Sequence, residues 1–163
     1  MTARKKSPAV GTSTGQGMSE ESIRCEARLL KSLFKRPAIF DHLGDSIQPE
    51  HFGHLGYGRL FRAMRSGYLE HDRILPGRCV YALRAGSGMP TTPSPDGCRF
   101  ELMRLMAGFI DWWHWPYYAQ QVREAAKRRR LLRLADKIRL AAITQPQADQ
   151  HLLLQKMEGI VNG

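Results

Sequence analysis

Residues 115–144 read WPYYAQQVREAAKRRRLLRLADKIRLAAIT, and the plan of the whole chain follows from them. Residues 118–144 contain no Gly or Pro and are mostly Ala, Leu, Arg and Lys, which makes a helix the expected structure. At about 1.5 Å per residue such a helix runs roughly 40 Å, too long to be wrapped on all sides by a small domain. Gln145-Pro146 stops it; after the break QPQAD a shorter apolar segment returns with Leu152, Leu153, Met157, Ile160 and Val161. The pattern is a helical hairpin.

The long helix carries two apolar faces. With about 100° between successive residues, Tyr118, Val122, Ala125 and Leu132 share one side. Leu131, Ala135, Ile138 and Ala142 share another, rotated by more than about 90°, whereas heptad drift in a straight helix is only about 20° per repeat. Two successive partners are therefore expected. The first half docks on the body of the domain, and the second packs on the return helix and on another subunit.

The remainder of the chain reads as helices joined by irregular segments. Residues 1–18 are rich in Gly, Ser, Thr and Lys without periodicity, as in a disordered basic arm or leader. Ser19 is placed to cap a helix that opens with Glu20 and Glu21 and ends at Pro37. Its expected inward stripe is Ile23, Ala27, Leu30 and Phe34. A short helix over residues 38–43, a turn at Glu50-His51-Phe52 and a third helix over 56–68 follow, the last with Leu60, Phe61, Met64 and Tyr68 inward. Residues 76–85 predict a fourth helix, and the Pro-rich stretch 87–97 an irregular loop. Residues 99–110 predict a fifth helix with Phe100, Met103, Leu105 and Met106 inward. No clean alternation over five or more residues marks a strand. The expected fold is all-α: a small helical bundle over residues 19–111, followed by an aromatic root and a protruding antiparallel helical hairpin over 112–163.

Composition narrows the function. Of the 163 residues, 42% are apolar and 25% charged, which fits a soluble globular chain. No apolar run approaches the roughly 18 residues that would span a bilayer, so no membrane role is expected. Three scattered cysteines with no CxxC pair point to reduced thiols in a cytoplasmic protein. The net charge of +10, from 25 Lys and Arg against 15 Asp and Glu, attracts nucleic acid or an acidic protein. No Gly is followed by Lys, so the phosphate-cradling loop of nucleotide hydrolases has no counterpart. The six histidines include no HExxH. His51 and His54, with Asp41 and His42 nearby in sequence, span a turn and read more readily as capping groups than as metal ligands. Carboxylates are too scattered to nominate an acid–base pair, and no catalytic residues are expected in this chain.

Two further clusters are open to more than one reading. Trp112, Trp113, Trp115, Tyr117 and Tyr118 precede the hairpin; such rings stack unpaired bases when exposed. The plainer reading has them cementing the hairpin root to the body, with one ring left exposed. Arg123, Lys127, Arg130, Arg133 and Lys137 fall within about a third of the helix circumference. Like charges at this spacing weaken an isolated helix by a few tenths of a kcal/mol, so an anionic partner is a reasonable motive for them.

Several motifs resemble those of one family. Residues 26–37, EARLLKSLFKRP, resemble the opening helix of the N-terminal domain of bacterial replicative helicases of the DnaB type, with a Glu, a Leu-rich core run and a closing Pro. Glu50-His51-Phe52 followed by Gly58-Arg59-Leu60-Phe61 is similar to that family's acidic-x-Phe turn and third helix. Tyr118-Ala119, Val122-Arg123-Glu124 and Arg129-Arg130-Leu131 match the family's entry into the first hairpin helix. The resemblance extends from Ser19 to the end. It departs where the family starts its fourth helix with an Asp and a capping Thr, positions held here by Leu75 and Arg78, and where Tyr57 replaces a His.

The resemblance implies hairpins that pair between subunits to build the N-terminal collar of a hexameric ring. Such a collar steers primase and loader binding. ATP and Mg would serve only a separate C-terminal motor, beginning after Gly163, which unwinds DNA; no cofactor is implied for this chain. Leu131, Leu134, Ala135, Ile138, Leu153 and Met157 are then the expected self-association residues, and Arg123, Lys127, Arg130, Arg133 and Lys137 the expected contacts to a partner or to DNA. Two other readings stay open: a stand-alone basic DNA-binding accessory protein, and the helicase-binding C-terminal domain of a primase.

Overall fold

The computed structural model describes residues 19–85, 95–144 and 155. Every regular element among them is helical: α1 (Glu20–Lys35), α2 (Ile39–Leu43), α3 (Leu55–His71), α4 (Pro76–Arg84), α5 (Pro95–Met106) and α6 (Trp115–Thr144), with 3-10 turns at Pro49–His51 and Trp112–His114.

Local chemistry sets most boundaries. The Ser19 hydroxyl accepts the Ser22 N–H at 3.2 Å and caps α1, and the Arg36 N–H closes it on Ser32 O just before Pro37. Leu75 precedes α4 without a side-chain cap, as the missing Thr implies, and Pro76 opens the helix with its φ already helical. The long helix is continuous for 30 residues, roughly 45 Å at about 1.5 Å each.

The core lies between α1, α3 and the first half of α6. Leu29, Leu30 and Leu33 of α1 pack with Leu60, Phe61 and Met64 of α3, with Phe40 and Phe52, and with Tyr118, Ala119 and Val122 of α6. The Phe61 ring centroid lies 5.1 Å from that of Phe52 and 5.7 Å from that of Phe40. Each fully buried side chain of this size contributes about 1.5–3 kcal/mol. Helices α1 and α6 run antiparallel: Cys25 shares a cleft with Gln121, Arg28 covers the Tyr118 ring, and Arg36 covers Trp112. Helix α3 crosses beneath the turn at Pro49 so closely that a Cβ on Gly58 would meet Pro49 O at 2.5 Å.

Three expectations need correction. The buried face of α1 comprises Cys25, Glu26, Leu29, Leu30, Ser32 and Leu33, while Ile23, Ala27 and Phe34 are only half-buried. Helix α1 is covered on two sides, which turns its buried stripe away from the apolar periodicity. Helix α5 starts at Pro95, inside the stretch expected to be a loop, and ends at Met106, four residues early. Gly108 at φ +80° ends it, a conformation that a side chain resists. Cys98, Leu102 and Met106 face inward, Leu105 is half-buried, and Phe100 and Met103 are exposed. The remainder of the expected loop, residues 87–94, lies outside the described residues, as do residues 1–18. So do Leu152, Leu153, Met157, Ile160 and Val161 of the return helix; Gln155 in that stretch is helical and exposed.

Candidate interaction surface

The two halves of α6 have different surroundings. In the first half Tyr118, Ala119, Val122 and Ala126 are buried. Beyond residue 130 the helix leaves apolar groups open: Leu132 is 56% and Ile143 77% exposed, and Ala135 is exposed as well. Leu131 and Ile138 are half-buried and Leu134 is buried. Leu132 thus leaves the body-facing group to which its spacing assigned it. Of the expected self-association residues, the structure places Leu131, Leu134, Ala135 and Ile138 on this outer half; Leu153, Met157 and the side chain of Ala142 lie outside the described residues.

The cations follow the helix on its open side. Arg123, Arg130, Arg133 and Lys137 are exposed and Lys127 is half-buried. Arg133 Nε donates to Arg129 O at 3.2 Å, which lays its guanidinium along the helix. The five residues form a continuous positive ridge able to meet phosphates or carboxylates.

A polar lock missing from the sequence reading sets the direction in which α6 leaves the body. Glu26 is fully buried in α1. Its carboxylate accepts the Gly53 N–H at 2.7 Å and the His54 N–H at 3.1 Å, ahead of α3. Arg129 of α6 faces it at 3.6 Å, with a side chain only 12% exposed, and donates through Nη2 to His51 O at 2.5 Å. One carboxylate and one guanidinium therefore tie together α1, the Pro49–His51 turn, the start of α3 and the midpoint of α6. Burial pushes the Glu26 carboxyl above the usual carboxylate range, against the pull of the Gly53 and His54 N–H groups and of Arg129. Burial also lowers the Arg129 guanidinium, with Glu26 acting in the opposite sense.

His51 belongs to the same junction. Its Nδ1 accepts the Gln48 N–H at 3.2 Å, as expected of a capping histidine. Burial, and then the nearby Arg130, hold the imidazole below its ordinary value of 6.5. The His54 ring packs against Tyr57 at 4.3 Å. The sequence holds a trace of the lock only in α1, where Glu26 is the single charge on the face of Cys25, Leu29, Leu30 and Leu33. Arg129 is obscured by standing in the run Arg128-Arg129-Arg130, where only the middle residue turns inward.

The aromatic cluster divides. Trp112 and Trp115 pack against the core and Tyr118 joins it, as the packing reading expects. Two rings are left out, not one: Trp113 is 53% and Tyr117 52% exposed.

The body is all-α, and one long helix continues past its locked root with apolar groups left open. The solved structures give that build a counterpart. The chain matches the crystal structure of the N-terminal domain of DnaB helicase from Mycobacterium tuberculosis with a TM-score of 0.68, over 91% of this chain and 100% of that one, at 15% identity. At that identity the likeness is one of fold. No family model and no curated protein matches the sequence. Among the described residues no helix is long and apolar enough to cross a membrane.

Proposed function

We propose that this chain is the N-terminal collar and assembly domain of a replicative DNA helicase. In this reading it self-associates through the hairpin begun by α6 and docks a primase or a loader during DNA replication in the cytoplasm. It performs no catalysis itself, and its parent protein is an ATP-dependent helicase. The observation that carries the reading is the outer half of α6, where Leu132, Ala135 and Ile143 stay open in a helix whose root is locked into a DnaB-like body. Such residues contribute little to the fold of one chain and gain most from a second apolar surface.

Ile138→Asp tests this. It places a charge on the outer half beyond the lock, and circular dichroism of the variant checks that the chain still folds. Sedimentation should show a dimer or larger oligomer shifting toward monomer. An unchanged oligomer, or a parent chain that is monomeric at all concentrations, removes the pairing claim.

A second reading rests on the positive ridge of Arg123, Lys127, Arg130, Arg133 and Lys137: a basic accessory protein that binds duplex DNA. Its affinity would fall with salt by about 0.9 log units per log unit for each phosphate neutralised.

A further inference from the structure

Three aromatic side chains stand out of the fold at the root of α6, at four-residue intervals: Phe109 is 84% exposed, Trp113 53% and Tyr117 52%. The root is already closed beneath them by Trp112, Trp115 and Tyr118. The outer rings therefore expose apolar faces that the packing of one chain does not use.

Cations from α1 line the same place. The Arg36 guanidinium lies 4.4 Å from the Trp112 ring centroid, and Trp113 meets Trp112 edge-on at 5.8 Å. Arg28 lies 5.8 Å from the Tyr118 centroid, and Tyr117 meets Tyr118 edge-on at 5.7 Å. Between them Lys31 Nζ would lie 3.5 Å from a Cβ on Gly108, next to Phe109. Arg28, Lys31 and Lys35 recur at i, i+3 and i+7, within about 60° on the helix. Residues 28–40 contain no carboxylate, and Asp111, the only one in residues 105–118, is half-buried.

We propose that this strip binds single-stranded DNA, with bases stacked on Trp113 and Tyr117 and phosphates met by Arg28, Lys31 and Lys35. An unpaired strand offers both ring faces and a regular anionic backbone, the two properties the strip complements. Duplex DNA keeps its base faces inside the stack. A second copy docked strip to strip would set Arg28, Lys31 and Lys35 against their own like charges. Stacking and phosphate contact need no 2′-hydroxyl, so a deoxy strand suffices. The inference does not depend on self-association, which uses the outer half of α6.

The test uses the full chain and fluorescence anisotropy of labelled oligo-dT, a duplex of equal length and oligo-U at low salt. The single strand should bind more tightly than the duplex. Trp113→Ala and Tyr117→Ala should each weaken single-strand binding by about 5- to 150-fold. Tyr117→Phe, which keeps the ring, should bind like the parent and guards against a folding artefact. Absence of binding to oligo-dT at low salt overturns the proposal, as do equal binding of duplex, binding of oligo-U alone, or ring variants that bind unchanged. Loss of self-association in the ring variants with unaltered DNA affinity overturns it as well, marking the strip as a contact between copies.

Discussion

Removing the Glu26 carboxylate should be among the most damaging single changes to this fold. In Glu26→Ala the Gly53 and His54 N–H groups, now held at 2.7 and 3.1 Å, lose a fully buried acceptor, and half-buried Gly53 and exposed His54 regain part of that loss from water. Each unsatisfied buried donor costs about 1–3 kcal/mol. The Arg129 guanidinium loses its counter-charge, although its 12% exposure lets it recover some hydration. Breaking a buried pair by removing one partner typically costs about 3–5 kcal/mol, and Glu26→Ala belongs in that range. Glu26→Gln keeps the volume and one acceptor oxygen, so it should cost less, about 1–3 kcal/mol. Arg129→Met should fall in the same lower range, since it loses the bond to His51 O but leaves Glu26 both backbone donors.

Urea unfolding followed by circular dichroism measures these costs as midpoint shifts at constant slope. The pair Glu26→Gln and Arg129→Met should be non-additive, with a coupling of about 0.5–3 kcal/mol as for residues in one network. A Glu26→Ala chain within about 0.5 kcal/mol of the parent would behave like a surface variant. That result, or strict additivity of the two milder changes, would refute the view that this pair fixes α6 to the body.

Two further outcomes follow from the same junction. The His51 pKa is lower in the folded chain than its ordinary value of 6.5, so the stability it contributes is full above that pH and is lost as pH falls through the folded value. The groups facing it are Arg130, Arg123 and Arg129 of α6 and the neighbouring Glu50. Urea midpoints should therefore drop on acidification below about 6.5, and His51→Asn, which keeps an acceptor for the Gln48 N–H, should flatten that slope; an identical slope in the variant rejects the assignment. Glu26 works in the opposite sense at more acid pH, because its raised carboxyl pKa adds stability as it protonates. Gly58→Ala would put a Cβ 2.5 Å from Pro49 O and should destabilise by about 1–3 kcal/mol, despite the better helix propensity of Ala, as thermal or urea midpoints would show.

The parts of the fold legible in the sequence are those fixed by near neighbours. Ser19 with Glu20 and Glu21, Pro37, and Pro76 place helix ends through contacts within a few residues, and the structure puts those ends where expected. Periodicity failed where apolar residues surround the helix. Between residues 98 and 106 an apolar side chain stands at 98, 100, 102, 103, 105 and 106, so the sequence offers several faces and packing against α1 and α4 selects one. Phe100 and Met103 share the spacing of an inward face but lie on the exposed one. Pro95 marks a loop by its residue type, yet it opens α5, because the first turn of a helix tolerates Pro, whose missing N–H would have no partner there. The Glu26–Arg129 lock joins residues 103 positions apart, and no local pattern announces such a pairing. For the candidate surface, spacing located the ridge of cations but not the depth at which each lies. The division of the aromatic cluster depended on α1, whose Arg28 and Arg36 cover the inner rings.

In the proposed function, folding and association use different halves of α6. Its first half supplies Tyr118, Ala119 and Val122 to the core, and Arg129 ties its midpoint to α1 and the Pro49–His51 turn. Past that point the residues left open contribute little to the chain that carries them, so their burial free energy is available to a partner. A flexible tether would lose part of that free energy to ordering on binding, at about 1–2 kcal/mol per backbone residue fixed. A helix already continuous to Thr144 and locked at its midpoint has met that cost during folding. Weakening the lock should therefore loosen association even though neither Glu26 nor Arg129 lies on the outer half. By contrast, changes at Ala135 or Ile138 should loosen association while leaving the body intact.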